Sequence, residues 1–168
     1  MSHVSLILTL SGVDRPGLVQ ELAKVVADNG GNWEQSRMAH LADRFVGLLE
    51  VMVAEDKVDP LCAALRNLPD LFLTMHVDRP AIEDHRGVFS LELLGSDQPG
   101  IVQKITQALA NAHVNIEEIT TSTEAAPDSG APLFRARMRL TGGGDQDEIR
   151  QELEAIAHDL MVEIKVES

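Results

Sequence analysis

One short segment occurs twice in the sequence. Its residue types suit the binding of a small molecule that bears a positive and a negative charge. Asp14-Arg15-Pro16-Gly17-Leu18-Val19-Gln20 recurs 83 positions later as Asp97-Gln98-Pro99-Gly100-Ile101-Val102-Gln103. If a helix begins within each copy, its first N–H groups and its partial positive charge suit a carboxylate. The aspartate of each copy can then receive an ammonium group. An amino acid carries both groups, so the segment predicts an amino-acid site.

Ordinary turn and capping chemistry explains the same residues, and local physics leaves both interpretations open. A proline suits the first turn of a helix because it has no N–H and fixes φ near the helical value. The glycine permits close approach of a backbone or a ligand, and the aspartate can accept hydrogen bonds from the helix start. The residue before a proline avoids the helical region, so Arg15 and Gln98 are expected at the cap.

A strand must precede each copy and a helix must follow it, because the hydrophobic periodicity changes there. Before the first copy, alternate residues are apolar: Val4, Leu6, Leu8 and Leu10. After it, the apolar residues form one helical stripe: Leu18, Val19, Leu22, Val25 and Val26. The second copy repeats both patterns, with Phe89, Leu91 and Leu93 before it and Ile101, Val102, Ile105, Ala108 and Leu109 after it. The two halves are therefore predicted to be duplicates of one unit.

The rest of each half predicts two more strands, a helix and a last strand. In the first half these are expected at 32–41, 45–53 and 57–67, with the last strand around Leu73, Met75 and Val77. In the second half the strands are expected at 116–123 and 133–141. A helix with Ile149, Leu153 and Ile156 follows, and then a strand with Val162, Ile164 and Val166. The order is βαββαβ, the ferredoxin-like arrangement. We expect an α+β fold of two such units, each an antiparallel four-stranded sheet with two helices on one face.

The expected domains are residues 1–79 and 87–168, joined by a charged linker at 80–86 that contains Pro80. The turn at 124–132 is longer than its counterpart in the first half and is expected to be mobile. Gly142-Gly143-Gly144 is expected to be a flexible connector. Units of this size bury a modest fraction of their surface, so we expect them to pack together or to form a homodimer.

Composition disfavours several classes of function. The net charge is -13, with 27 acidic and 14 basic residues, and such a surface repels nucleic-acid backbones. With one Trp, four Phe and no Tyr, aromatic platforms for bases are not expected. Cys62 is the single cysteine, which leaves no intrachain disulfide and no cysteine-based metal site. No secretion signal or membrane-spanning run is evident, and a cytoplasmic location is expected.

No catalytic constellation, metal site or cofactor motif emerges from the sequence. The six histidines are scattered, without the spacing of a helical zinc site. His40 and His113 lie near strand ends. We interpret them as surface residues, with contact to a ligand as the alternative. The triple glycine lacks the Lys-Ser/Thr of a phosphate-binding loop. Cys62 lies between apolar neighbours on a helix and is read as a packed thiol. The protein is therefore expected not to be an enzyme.

The duplicated βαββαβ unit with Asp-x-Pro-Gly-[Leu/Ile]-Val at its first strand–helix turn resembles the ACT domain family. The resemblance covers essentially the whole chain as two ACT units. With no attached catalytic domain, the chain looks most like the glycine cleavage system transcriptional repressor group. The resemblance implies an amino-acid-responsive regulator that acts through protein–protein contacts, with a small amino acid such as glycine as its ligand. It also implies a DNA-binding activator as partner, a role without direct DNA contact that agrees with the acidic charge.

The resemblance also implies where the ligand would lie. In ACT domains the ligand usually sits at an interface between units, against the first strand–helix loop and the start of the second strand. The residues so implied are Asp14, Arg15, Pro16, Gly17, Leu18, Val19 and Asn32, and Asp97, Gln98, Pro99, Gly100, Ile101, Val102 and Asn115. Backbone N–H groups at 17–19 would hold the carboxylate, and an asparagine side chain could take either charged group. Gln98 replaces Arg15 and Val114 replaces Gly31, so whether one unit binds while the other only scaffolds is open.

Three other functions remain as alternatives. A regulatory subunit of an amino-acid biosynthetic enzyme, such as the small subunit of acetolactate synthase, also carries an ACT unit on a short chain. Its second half does not usually repeat the Asp-x-Pro-Gly turn. Formyltetrahydrofolate deformylase begins with a similar segment, but no catalytic domain follows here. A direct DNA binder ranks last because of the acidic charge.

Overall fold

The computed structural model of the protein describes residues 2–78, 87–142 and 145–167. The chain divides into two compact units, Met1–Glu83 and Asp84–Ser168. The predicted linker at 80–86 lies outside the described residues, as do Gly143 and Gly144 of the predicted connector.

The first unit has the predicted βαββαβ order. Its elements are β1 (His3–Val13), α1 (Leu18–Asp28), β2 (Asn32–Leu41), β3 (Arg44–Ala54), α2 (Val58–Arg66) and β4 (Leu71–Asp78), with a short 3-10 helix (Glu55–Lys57) before α2. The strands pair antiparallel in the order β2-β3-β1-β4. Pro60 lies in the first turn of α2, where its missing N–H costs nothing. The predicted strands and helices are all present, with bounds that differ by a few residues.

The second unit repeats the same order. Its elements are β5 (Gly87–Ser96), α3 (Ile101–Asn111), β6 (Val114–Ala125), β7 (Pro132–Gly142), α4 (Gln146–Leu160) and β8 (Val162–Glu167). The strand order β6-β7-β5-β8 matches that of the first sheet. The hairpin predicted at 124–132 is shorter than expected, because β6 and β7 remain paired out to Ala125 and Pro132. The α+β, ferredoxin-like prediction is confirmed for both halves.

Each unit has its own hydrophobic core between its sheet and its two helices. In the first unit, alternate β1 residues meet one face of each helix, and the buried set includes Leu6, Leu8, Leu10, Leu22, Val26, Leu61 and Leu65. In the second unit the corresponding set includes Leu91, Leu93, Ile105, Leu109, Ile149 and Leu153. Cys62 is buried in the first core, and its burial raises the pKa of the thiol. The thiol is therefore packed and poorly ionised, as predicted.

One part of the predicted helical stripe does not reach the core. Val19 is 43% exposed and Val102 is 39% exposed, whereas Leu18 and Ile101 beside them are buried. These valines lie at the second position of α1 and α3. The predicted site therefore has an exposed apolar side chain beside it in both units.

Candidate functional site

The repeated segment forms a turn that ends before the helix begins, which corrects the prediction for its proline. Gly17 has φ 86° and ψ -4°, and Gly100 has φ 82° and ψ 5°. The N–H of Leu18 donates to the carbonyl of Arg15 at 3.4 Å, and that of Ile101 donates to Gln98 at 3.2 Å. These are the dihedrals and the hydrogen bond of a type II turn, which favours proline at its second position and needs glycine at its third. The helices start at Leu18 and Ile101, so neither proline lies inside a helix.

The glycine of each copy occupies the helix cap. The aspartate and the residue before proline, which were expected there, do not. Gly17 and Gly100 are the N-cap residues, and neither cap is closed by a side-chain hydrogen bond. Apart from the glycine and the two residues adjoining it in the chain, no described heavy atom lies within 4 Å of the point where a Cβ would stand on either glycine. The glycines are thus required by their positive φ and not by a close neighbour. Their outer side is open space.

The turn leaves two backbone amides of each helix without an acceptor among the described residues. At the start of α1, Leu18 N–H bonds Arg15 and Glu21 N–H bonds the Gly17 carbonyl at 2.9 Å. The amides of Val19 and Gln20 lie between them and have no such partner in the part of the chain described. The second unit repeats this arrangement at Val102 and Gln103. Free amides and the positive end of the helix dipole together favour a small anion such as a carboxylate.

Charged side chains around the first turn pair with each other. Arg15 donates to Glu21 through both terminal nitrogens, with distances of 2.9 Å to Oε1 and 2.6 Å to Oε2. The hydrogen bond from Arg15 lowers the pKa of the Glu21 carboxyl, and the same bond raises the pKa of Arg15. This pair spans from the turn onto α1. It therefore fixes the Arg15 guanidinium beside the helix start.

The second turn lacks this ion pair. Gln98 and Lys104 occupy the positions that correspond to Arg15 and Glu21. Glu21, whose carboxylate neutralises Arg15 in the first turn, is thus replaced by the cationic Lys104 in the second. The two turns share a backbone conformation but differ in local charge.

The strand hairpin beside each turn also contacts it. The N–H of Asp14 donates to the carbonyl of Asp43 at 3.3 Å, and the N–H of Asp97 donates to that of Pro132 at 3.0 Å. His40 Nε2 lies 3.9 Å from Asp14 Oδ2. His40 therefore lies next to the candidate site, as the sequence allowed. His113 lies at the other end of its unit, between α3 and β6.

The structure separates Asn32 and Asn115 from the turns of their own units. Asn32 is aligned with Met52 on β3 and, through it, with Ser5 on β1. The turn begins after Val13, so eight residue steps of strand, roughly 26 Å, lie between the two positions. Asn115 is aligned with Thr141 and Val88, equally far from Ser96. One amino acid cannot contact the turn and the asparagine of the same unit.

A glutamate beside each asparagine was not predicted as part of the site. Asn32 donates to Glu34, and Asn115 Nδ2 donates to Glu117 Oε1 at 2.9 Å. The strand register shifts at Glu34 and again at Glu117, so each glutamate lies in a β-bulge. Bulges of this kind redirect side chains. The repeated Asn-x-Glu at 32–34 and 115–117 was the sequence signal for this feature.

The replacement of Gly31 by Val114 has a packing cause. A Cβ on Gly31 would lie 2.7 Å from Val51 Cγ1 and 3.0 Å from Val26 Cγ1. Val114 is itself buried in the second core. The difference between the units at this position therefore reflects core packing and not the ligand site.

In the part of the chain that the structure describes, no group of three or more His, Cys, Asp and Glu side chains is arranged to hold a metal ion. Within the same residues, no helix is both long and apolar enough to cross a membrane.

Known proteins resemble the chain over nearly its whole length. The ACT domain family matches it twice, over residues 5–78 and over residues 89–158. The chain is 25% identical over 165 residues to the glycine cleavage system transcriptional repressor of Escherichia coli (strain K12), a match that covers 92% of this chain and 85% of that protein. The protein of the same name from Shigella flexneri has the same identity and coverage.

Two solved structures share the fold along the whole chain. A crystal structure of an unknown protein from Galdieria sulphuraria is 28% identical, with a TM-score of 0.87 and coverage of 99% of this chain and 98% of that one. A crystal structure described as a putative glycine cleavage system transcriptional repressor is 20% identical, with a TM-score of 0.73 and coverage of 99% and 97%. At 20% identity, the likeness to this second structure shows a shared fold only.

Proposed function

The chain belongs to the ACT domain family, and on that premise we propose that it is a non-enzymatic regulator that responds to a small amino acid. The match of both halves to the ACT domain, together with a relative named glycine cleavage system transcriptional repressor, carries this proposal. That relative's name makes glycine the first ligand to test. The regulated system is then glycine cleavage.

The ligand's carboxylate is proposed to bind at the start of α1. The amides of Val19 and Gln20 are directed out of the helix end, and the space outside Gly17 is open. Asp14 adjoins the same turn, so its carboxylate is the proposed acceptor for the ammonium group. The amides of Val102 and Gln103, with Asp97, are the second proposed site. Asn32 or Asn115 would join such a site only when supplied by a different ACT unit, as in a second copy of the chain.

The signal is proposed to pass to a regulatory protein, such as a DNA-binding activator, by direct contact. A net charge of -13 disfavours contact with DNA itself. Binding of the amino acid would order the turn and the hairpin that bonds Asp14, and so change the surface offered to the partner.

A thermal-shift screen of the twenty amino acids tests the proposed function. A ligand that binds only the folded state raises stability by about 2.7 kcal/mol at about a hundred times its dissociation constant. We expect glycine or another small amino acid to raise the melting temperature in a saturable way. Acetate and methylamine, which each carry one of the two charged groups, are the matched controls and should give smaller shifts. If no amino acid stabilises the protein at millimolar concentration, the proposal is wrong.

A further inference from the structure

A groove lies between the two helices of the second unit. Its volume is about 480 Å³, and its walls are Gln103, Lys104 and Gln107 of α3 and Ile156 and Asp159 of α4. Gln103 also belongs to the proposed site at the second turn, but only through its backbone amide. The other four residues belong to neither turn, so the groove is a separate feature of the molecule.

Two opposite charges line the groove without pairing. The side chains of Lys104 and Asp159 are exposed, and neither has a hydrogen-bond or ion-pair partner among the residues that the structure describes. Each can therefore form a charge-assisted hydrogen bond with a molecule that enters the groove. A carboxylate on that molecule suits Lys104, and an ammonium group suits Asp159.

The remaining walls are apolar on one helix and amide-bearing on the other. Ile156 is partly buried and packs against the core of the second unit, so it offers an apolar surface. Gln103 and Gln107 are one helical turn apart on α3 and lie on the same face. Gln107 Nε2 donates to Asn111 Oδ1 at 3.1 Å, which leaves the Gln107 side-chain oxygen as an acceptor.

The length of α4 makes the groove particular to the second unit. α4 has 15 residues, whereas α2, its counterpart, has 9. Because Ile149 and Leu153 correspond to Leu61 and Leu65, α2 ends at the position of residue 154. Ile156 and Asp159 therefore lie on the turns that α4 has in addition.

The first unit also lacks a free charge on the other wall. Glu21 of α1 corresponds to Lys104, and its carboxylate is bound by both terminal nitrogens of Arg15. The first unit thus has neither the helical extension nor the unpaired cation. A molecule that needs both is expected to bind the second unit alone.

We propose that the groove binds a short apolar peptide with free termini, of which a dipeptide is the smallest. Its carboxylate binds Lys104, its ammonium group binds Asp159, and its apolar side chain covers Ile156. The peptide group between the termini suits the glutamine amides. A volume of about 480 Å³ falls in the range of small-molecule sites, and a free glycine would fill little of it. The proposal does not depend on an amino acid at either turn.

Titration of the ¹⁵N-labelled full chain with L-alanyl-L-leucine tests the proposal. We expect saturable amide shifts at Lys104, Gln107, Ile156 and Asp159, up to about 10 mM peptide. Shifts on α4 are decisive, because α4 carries neither turn. N-acetyl-alanyl-leucine lacks the ammonium group and alanyl-leucinamide lacks the carboxylate, so each should bind at least about tenfold more weakly.

Substitutions test each charge separately. Lys104→Gln and Asp159→Asn should each raise the dissociation constant of the dipeptide by about tenfold or more. Arg150→Gln and Glu152→Gln are the matched controls, because they change the charge equally at exposed positions of α4 outside the groove. Both controls should bind as the unaltered protein does, and melting should be nearly unchanged in all four variants.

Three results would overturn the proposal. The first is the absence of saturable shifts on α4 with the dipeptide. The second is binding by Lys104→Gln and Asp159→Asn that is as tight as that of the two control variants. The third is binding of free leucine at the same amides as tightly as the dipeptide, which would make the groove a site for single amino acids.

Discussion

Gly17→Ala is expected to abolish the rise in melting temperature that an amino acid produces at the first turn. Gly17 has φ 86°, and an alanine there costs about 1–2 kcal/mol or forces the turn into another conformation. The new methyl group would also stand in the open space in front of the helix start. The change of turn conformation displaces the amides that are proposed to hold the carboxylate, and the methyl group takes up space beside them. A thermal-shift titration with the amino acid found in the screen measures the loss.

Gly130→Ala separates backbone strain from ligand binding. Gly130 has φ 69° and equally open surroundings, but it lies in the turn between β6 and β7. It should lose similar stability and keep the full response to the amino acid. Gly100→Ala reports on the second turn in the same assay. If Gly17→Ala and Gly100→Ala, singly and combined, respond like Gly130→Ala, the ligand binds elsewhere.

Leu8→Ala is expected to lower the free energy of unfolding by about 2–5 kcal/mol, a large share of the total stability of an ordinary domain. Leu8 has no exposed surface and lies in the centre of β1, between the sheet and both helices. Truncation therefore removes apolar contacts and leaves a cavity that the rigid β1–β3 pairing cannot close. Urea unfolding followed by circular dichroism measures the change.

Leu91→Ala is the matched substitution in the second unit, and its effect should be of the same size. Leu91 is 1% exposed and lies at the equivalent position of β5. Val88→Ala, at a site 55% exposed, should stay within about 0.5 kcal/mol of the unaltered protein. A Leu8→Ala variant as stable as Val88→Ala would contradict the assignment of the first core.

The sequence predicted the fold well because each unit is built from local and periodic signals. The alternation of Leu6, Leu8 and Leu10 could only be a strand buried on one side, and it recurs in β5. Because of the duplication, the hydrophobic pattern of each element can be compared between the two halves. The start of α1 does not follow from local sequence, since Pro16 suits both a first helical turn and the second position of a type II turn. Only the hydrogen bond from Leu18 to Arg15 decides between them.

The conformation of the repeated segment could be predicted in part from the sequence. Local sequence identified the turn and its exposed amides, because these depend on Pro16, Gly17 and the helix that follows. The place of Asn32 relative to that turn depends on strand order, which puts β3 between β2 and β1 and sets Asn32 at the far end. The pairing of Arg15 with Glu21 likewise needs the geometry of the turn.

The most direct test of the account is a backbone amide correlation spectrum of the ¹⁵N-labelled protein during titration with glycine and with the strongest ligand of the screen. We predict saturable shifts of the Val19 and Gln20 amides, with or without those of Val102 and Gln103. Saturable binding that leaves all four of these helix-start amides unmoved would contradict the account.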